Sequence, residues 1–196
     1  MAGYSVAQFV QDVRKTATTD EILADDLAMH KGLPTRSDIT KVETRLQCTL
    51  PKVMVDLMLA MEISGAQLGH IVFGLGGFRF PESLIEQNLK VDDPEFIRDR
   101  GLLSFGLDVN SASPLCIPRE SRSADAGPPV LVLEHETGKV IGPIYDDFLK
   151  LLEGQSFLAS VWGQDASIIK QGMRRILGST LKGPAGDYWA EFFETC

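Results

Sequence analysis

Cysteine is scarce in this chain, with three in 196 residues, at positions 48, 116 and 196. An odd and widely spaced set excludes a disulfide framework and points to a reducing compartment. Histidine is as rare: His30, His70 and His135 stand far apart. No His-Glu-x-x-His, Cys-x-x-Cys or Gly-x-Ser-x-Gly spacing occurs, so the usual marks of a zinc hydrolase, a dithiol centre or a serine hydrolase are missing. No apolar run reaches membrane-spanning length, and MAGYSVAQFVQDVRKTA holds no unbroken apolar stretch of the signal-peptide kind. A cytoplasmic chain without membrane contact is expected. Basic residues are the minority, 19 against 27 acidic, for a net charge of -8. That balance disfavours direct nucleic-acid binding, which needs Lys and Arg to displace counterions from phosphate.

What is present is ordinary in bulk and uneven in charge. A hydrophobic content of 44% and a charged content of 23% fit a globular domain able to bury a sizeable core. Residues 1–81 and 154–196 are nearly neutral, whereas residues 82–153 hold 14 acidic and 7 basic side chains. An acidic segment with no catalytic set suits a surface that grips a basic partner. The plain alternative is a solvated face that only keeps the chain in solution.

Helices are predicted first. Ser5 caps one running to Thr16, with Val6, Phe9, Val10 and Val13 as its apolar stripe. Thr18 and Glu21 open a second, with Ile22, Leu23 and Leu27 as its apolar side, ended by Gly32 and Pro34. Ser37 caps a third through Ile39, Val42 and Leu46, and Pro51 begins a fourth that buries Val53, Met54, Leu57, Met58 and Met61. Residues 70–80 read as strand, turn and strand, followed by a helical Pro81 to Leu89 and a polar connection from Asp92 to Arg100. Leu102–Phe105, Pro114–Ile117, Val130–Leu133 and Val140–Ile144 read as strands, with a hairpin turn at Gly138 and an exposed loop from Ser121 to Pro129. Asp146 to Glu153 returns to helix and Gly154 is its expected stop. Further helices follow at Ser156–Trp162, after Asp165 with Gly178 as its stop, and after Gly183-Pro184. Helices, then strands, then helices define an α+β fold.

None of the reactive residue types forms a convincing centre. His30 suits a helix end, His70 a strand boundary, and His135 a strand position facing away from Glu134 and Glu136. Cys48 and Cys116 read as small buried hydrophobes and Cys196 as terminal. Gly74-Leu75-Gly76-Gly77 lacks both the Lys-Ser/Thr ending of a phosphate loop and a following helix, so it reads as a tight strand connection. Asp25-Asp26, Asp92-Asp93 and Asp146-Asp147 are explained by charge at helix starts. No metal and no cofactor is expected.

The order of elements carries a resemblance. Ile39-x-x-Val42-Glu43-x-x-Leu46, Leu50-Pro51 and the helix to Met61 and Gly65 resemble the opening of the SUKH superfamily. Leu84-Ile85-x-x-Asn88, then Leu102 to Asp108, then Pro129–His135 and Ile144 to Leu152 resemble its later strands and closing helix. The resemblance covers residues 37–153. It departs at Val109-Asn110-Ser111-Ala112, where many members carry a glycine-rich turn, and it leaves 1–36 and 154–196 as helical N- and C-terminal extensions packed on the core. It implies a mostly antiparallel sheet packed against helices. It also implies a bacterial immunity protein that binds a secreted toxin, often a nuclease, and occludes its active site.

On that reading the partner is a cognate toxin or effector with a basic surface, and the partner-binding candidates are Asp92, Asp93, Glu95, Asp99, Asp108, Asp125, Glu134 and Glu136. Asp146 and Asp147 are second choices. A scaffold of the same fold that binds a regulatory partner is the alternative. An enzyme of unfamiliar type stands behind both, and would need His70 or His135 in a pocket with carboxylates.

Overall fold

The computed structural model describes residues 3–29, 32–75, 77–91, 94–120 and 125–195. Among them the chain forms six strands in one antiparallel sheet and nine α-helices, an α+β fold. The first four helices are α1 Val6–Ala17, α2 Glu21–Ala28, α3 Arg36–Leu46 and α4 Lys52–Ala60. Local chemistry sets their starts. Ser5 accepts from the Gln8 N–H, Asp20 from Leu23, and Thr35 forms a reciprocal capping box with Asp38. The caps of α2 and α3 therefore fall at Asp20 and Thr35, not at the expected Thr18 and Ser37. In each case the carboxylate nearby makes a better-placed set of bonds to the free N–H groups.

The sheet is a meander, β1 Gln67–Leu68, β2 Ile71–Phe73, β3 Leu102–Asp108, β4 Pro114–Pro118, β5 Val130–Leu133 and β6 Val140–Tyr145, each strand paired with its neighbour in sequence. Between β2 and β3 the chain leaves the sheet. Phe78-Arg79-Phe80 is not the predicted strand, because Phe80 opens α5 (Phe80–Glu86). The start of that helix is held from a distance: Glu62 Oε1 accepts from the Phe80 N–H at 2.9 Å and from the Ser64 N–H at 3.0 Å. A carboxylate at a helix N-terminus satisfies a donor that has no intrahelical partner. Gly74, at φ 61°, turns the chain here; its N–H donates to Phe105 O at 2.9 Å, and the Leu75 N–H donates to Ser83 Oγ. The loop's Leu75 N–H is thus already occupied by protein, as a strand connection requires and a phosphate cradle does not.

After α5 a π-turn, Gln87–Val91, is followed by α6, Pro94–Asp99, within the expected polar connection. The wider π-turn aims two successive side chains at β3. Asn88 Nδ2 donates to Ser104 O at 2.7 Å and to Leu84 O at 2.9 Å, while the Ser104 N–H donates to Asn88 Oδ1 at 2.9 Å. Gln87 Nε2 reaches Ser104 Oγ at 2.7 Å. Asn88 therefore acts as one more rung of the ladder, beside the irregularity in the β3–β4 register at Ser104 and Gly106.

The remaining helices are α7 Phe148–Val161, α8 Ala166–Leu177 and α9 Pro184–Thr195. Gly154 does not stop α7, and the expected boundary between 153 and 154 cuts through the middle of that helix. The reason lies in packing. A Cβ at Gly154 would stand 2.9 Å from the Tyr145 ring and its hydroxyl, so the glycine admits the β6 tyrosine against the helix. One apolar core joins Phe9, Val13 and Leu23 of the N-terminal helices to Phe105, Phe148 and Leu152 of the middle and to Met173 and Trp189 of the C-terminal helices. A second, small cluster of Ile97, Leu102, Cys116 and Leu133 lies apart from it and includes α6. Of the segment expected as an exposed loop, residues 121–124 lie outside the described residues and the end is docked: Pro128 is buried and Ala126 O accepts from the Leu149 N–H at 3.0 Å.

Candidate functional site

The sheet register decides which acidic residues can act together. Leu102 faces Pro118, and Val130 faces Tyr145, so the start of β3, the end of β4, the start of β5 and the end of β6 share one end of the sheet. Asp99, Asp125, Asp146 and Asp147 flank that end. Glu134 and Glu136 stand at the other, across the length of β5, about 13 Å at the usual rise per strand residue. The described members of the predicted set therefore fall at two ends of the sheet. Glu95 lies on α6, while Asp92 and Asp93 fall outside the described residues.

Asp108 is a correction. It is 2% exposed, and its carboxylate is committed inward. Oδ1 accepts from the Asn110 N–H at 2.8 Å and the Ser111 N–H at 3.2 Å, and Oδ2 accepts the Tyr188 hydroxyl of α9. It organises the turn after β3 and anchors the C-terminal helix, so it offers nothing to a partner. The turn lacks glycine, and Ala112 takes the left-handed conformation at φ 52° instead. Asp147, half-buried, caps α7 through the Lys150 N–H at 2.8 Å. Glu134, His135 and Glu136 are not on a strand. They form the β5–β6 turn, closed by the Gly138 N–H to Glu134 O at 2.8 Å, with Gly138 at φ 65°.

The reactive residue types are placed as follows. His70 stands at the strand boundary, immediately before β2, and is wholly buried there, with no partner at either ring nitrogen. Its ring packs against Tyr188, Trp189 and Phe192 of α9, with the Phe192 centroid 4.7 Å away. Burial pushes its pKa down to about 4, and the nearby Asp108 charge works weakly in the other direction. Burial first, then the Asp108 charge and hydrogen bond, hold the Tyr188 hydroxyl well above its ordinary value. Cys116 is buried in the small cluster, and Cys48 is half-buried with its thiol pushed up by burial. His30 and Cys196 fall outside the described residues. Among those residues no group of three or more His, Cys, Asp or Glu side chains is placed to hold a metal ion.

Among the open grooves on the described surface, two hold about 1000 Å³ each. One, of about 1030 Å³, runs past Gln47, Cys48 and Pro51, with Glu43 and Glu120 balanced by Lys52 and Arg119 and no strongly exposed apolar side chain. The other, of about 930 Å³, lies between α1, the start of α2, and the C-terminal parts of α7 and α8. It carries two side chains that burial would ordinarily claim: Ile22, 77% exposed, and Trp162, 56% exposed. Its walls are built by the two terminal segments, outside the span of the SUKH resemblance and outside the acidic segment except at Glu153. The apolar stripe of α2 predicted Ile22 as an inward residue, and only the assembled helices show it turned to solvent.

No protein-family model matches the chain, and no curated protein matches it in sequence. No helix among the described residues is long and apolar enough to cross a membrane.

Proposed function

We propose that this chain is an immunity-type protein that neutralises a cognate toxin domain by stoichiometric occlusion. The observation that carries the reading is the fate of the acid excess. Of the carboxylates from residues 82–153 whose burial is described, Asp108 alone is buried; Glu82, Asp99, Glu120, Asp125, Glu136 and Asp146 are exposed, and Glu86, Glu134, Asp147 and Glu153 are half-buried. The excess is therefore available to a partner's Lys and Arg, which a nuclease presents to hold phosphate. Charge of that kind speeds encounter and orients the partner, and exposed apolar anchors supply the tightness. The resemblance of residues 37–153 to the SUKH superfamily supports the same conclusion, as does the sheet-and-helix architecture.

The test is co-expression with the toxin domain encoded by the adjacent gene, read by growth and by co-purification. Restored growth with an equimolar complex is expected. Unrelieved toxicity with no complex would overturn the proposal.

A further inference from the structure

We infer that the groove between the terminal helices is the partner-docking site and that its occupant is a cationic segment bearing an aliphatic or aromatic anchor. The inference rests on the reading of this chain as a protein-binding protein: the acidic sheet ends steer the partner's approach, and the groove holds it.

Three features of the groove converge. The first is exposed apolar area in a concave setting. Ile22 and Trp162 line one groove together with Phe157 and Ala159. Aromatic side chains in such a setting are the usual anchors of protein interfaces. Trp162 is the C-cap residue of α7, and its rigid ring turns about only two side-chain bonds, so little freedom is lost when it is covered.

The second is charge. Asp12, Asp20, Glu21 and Glu153 line the groove against Lys15 and Arg175. Asp12 accepts from the Tyr4 hydroxyl at 2.9 Å and from Gln8 Nε2 at 2.8 Å, both neutral donors, so its negative charge is undiminished. Glu153 is paired with Lys150 at 2.8 Å.

The third is the backbone. The last turns of α1, α7 and α8 all reach the groove, at Lys15 and Thr16, at Ala159 and Ser160, and at Arg175 and Ile176. Each is the negative end of a helix dipole. Only α2 presents its positive end, and Asp20 and Glu21 already offset it. Lys15 and Arg175 similarly answer the ends of their own helices. The field left over is negative, and it sits beside two exposed hydrophobes. That combination favours Lys or Arg flanked by Leu, Ile or an aromatic residue. The companion groove at Cys48, with balanced charge and no exposed anchor, has neither property.

The probe is a random dodecapeptide library displayed on phage, selected on the full chain and counter-selected on the Ile22→Ser, Trp162→Ala variant. Both positions are exposed, so the variant keeps its fold, which far-UV circular dichroism verifies. Enriched sequences pairing Lys or Arg with a large apolar residue are expected. A synthetic peptide of that kind loses about tenfold in affinity with either single variant, weakens as salt rises, and protects Trp162 from acrylamide quenching while buried Trp189 is unaffected. No enrichment over the counter-selection, or enrichment of acidic or uncharged sequences, would overturn the inference. The outcome is separable from that of the proposed function. A toxin neutralised equally by the wild type and by the double variant removes the groove and leaves the immunity reading standing. A groove that selects cationic peptides, with no toxin neutralised, does the reverse.

Discussion

Two buried polar sites lie along β3, and they are built in opposite ways. At Ser104, in mid-strand, Asn88 uses its oxygen once and its nitrogen twice, and each bond is to main chain. At Asp108, where the strand ends, His70 lies fully buried with both ring nitrogens bare. The first site closes a gap in the backbone ladder, and the neighbouring Gln87 donates to it through Nε2 while its own Oε1 stays without a partner. The second fills space with a ring, edge to face with Trp189, and accepts the cost of an unpaired polar group. The difference teaches that burial alone does not say whether a polar side chain specifies a fold or merely fits inside it. Partners decide.

The comparison breaks most clearly at Asn88. Replacing it by Leu keeps the volume and strands the buried N–H and C=O of Ser104, so Asn88→Leu is expected to cost about 4 kcal/mol in denaturant unfolding. A loss below about 1 kcal/mol would mean that water replaces the amide.

The His70 site has its own signature in pH. The folded chain holds this imidazole neutral down to about 4, against 6.5 when exposed. As pH falls below 6.5 the unfolded chain takes up the proton first. Stability therefore declines through the interval from 6.5 to 4, by roughly 1.4 kcal/mol per pH unit and about 3 kcal/mol in all. Asp108 and Tyr188 are the titratable groups facing it. His70→Leu should flatten the profile in that interval, and an unchanged profile would show that other groups carry it.

A smaller effect is expected at the contact that closes this second site. Tyr188→Phe removes the hydroxyl that Asp108 Oδ2 accepts and leaves a buried carboxylate with its two turn N–H groups. The loss should be about 2 kcal/mol, together with faster hydrogen exchange in α9. Equal protection of α9 in both proteins would show that the helix is held by its aromatic packing alone.

The smallest change belongs to the same turn. Ala112 sits at φ 52°, where glycine bears no steric penalty. Ala112→Gly should raise stability by about 0.5 kcal/mol, read as a shift in the midpoint of unfolding, because the relief of strain exceeds the added entropy of the unfolded chain. No gain would place the strain elsewhere in the turn.

Much of the fold was legible in the sequence, element by element. The stripe Phe9, Val10 and Val13, the cap at Asp165 with the stop at Gly178, and the runs that became β3 to β6 were all readable because each depends on contacts within a few residues. The two missed caps erred by two residues, since Asp20 and Thr35 compete with Thr18 and Ser37 for the same free N–H groups. Phe78-Arg79-Phe80 was misread because Glu62, eighteen residues earlier, supplies the partner that lets Phe80 begin a helix. The acidic candidates fared differently. Their identity and their excess were plain, but Asp108 looked like the others until Tyr188, eighty residues away, was seen to claim it. Nothing in local spacing marked Trp162 or Ile22 as exposed.

By itself, then, the sequence determined roughly where most helices and the strands β3 to β6 lie, and that one segment is rich in acid. These follow from caps, turns and periodicity, which act over the reach of a single helical turn. Only the tertiary structure decided that α7 runs through Gly154, that the acids part to two ends of a sheet, and that three helix ends meet around a groove. Those outcomes depend on groups brought together from distant parts of the chain, and a field or a close contact between such groups exists only once the core has closed.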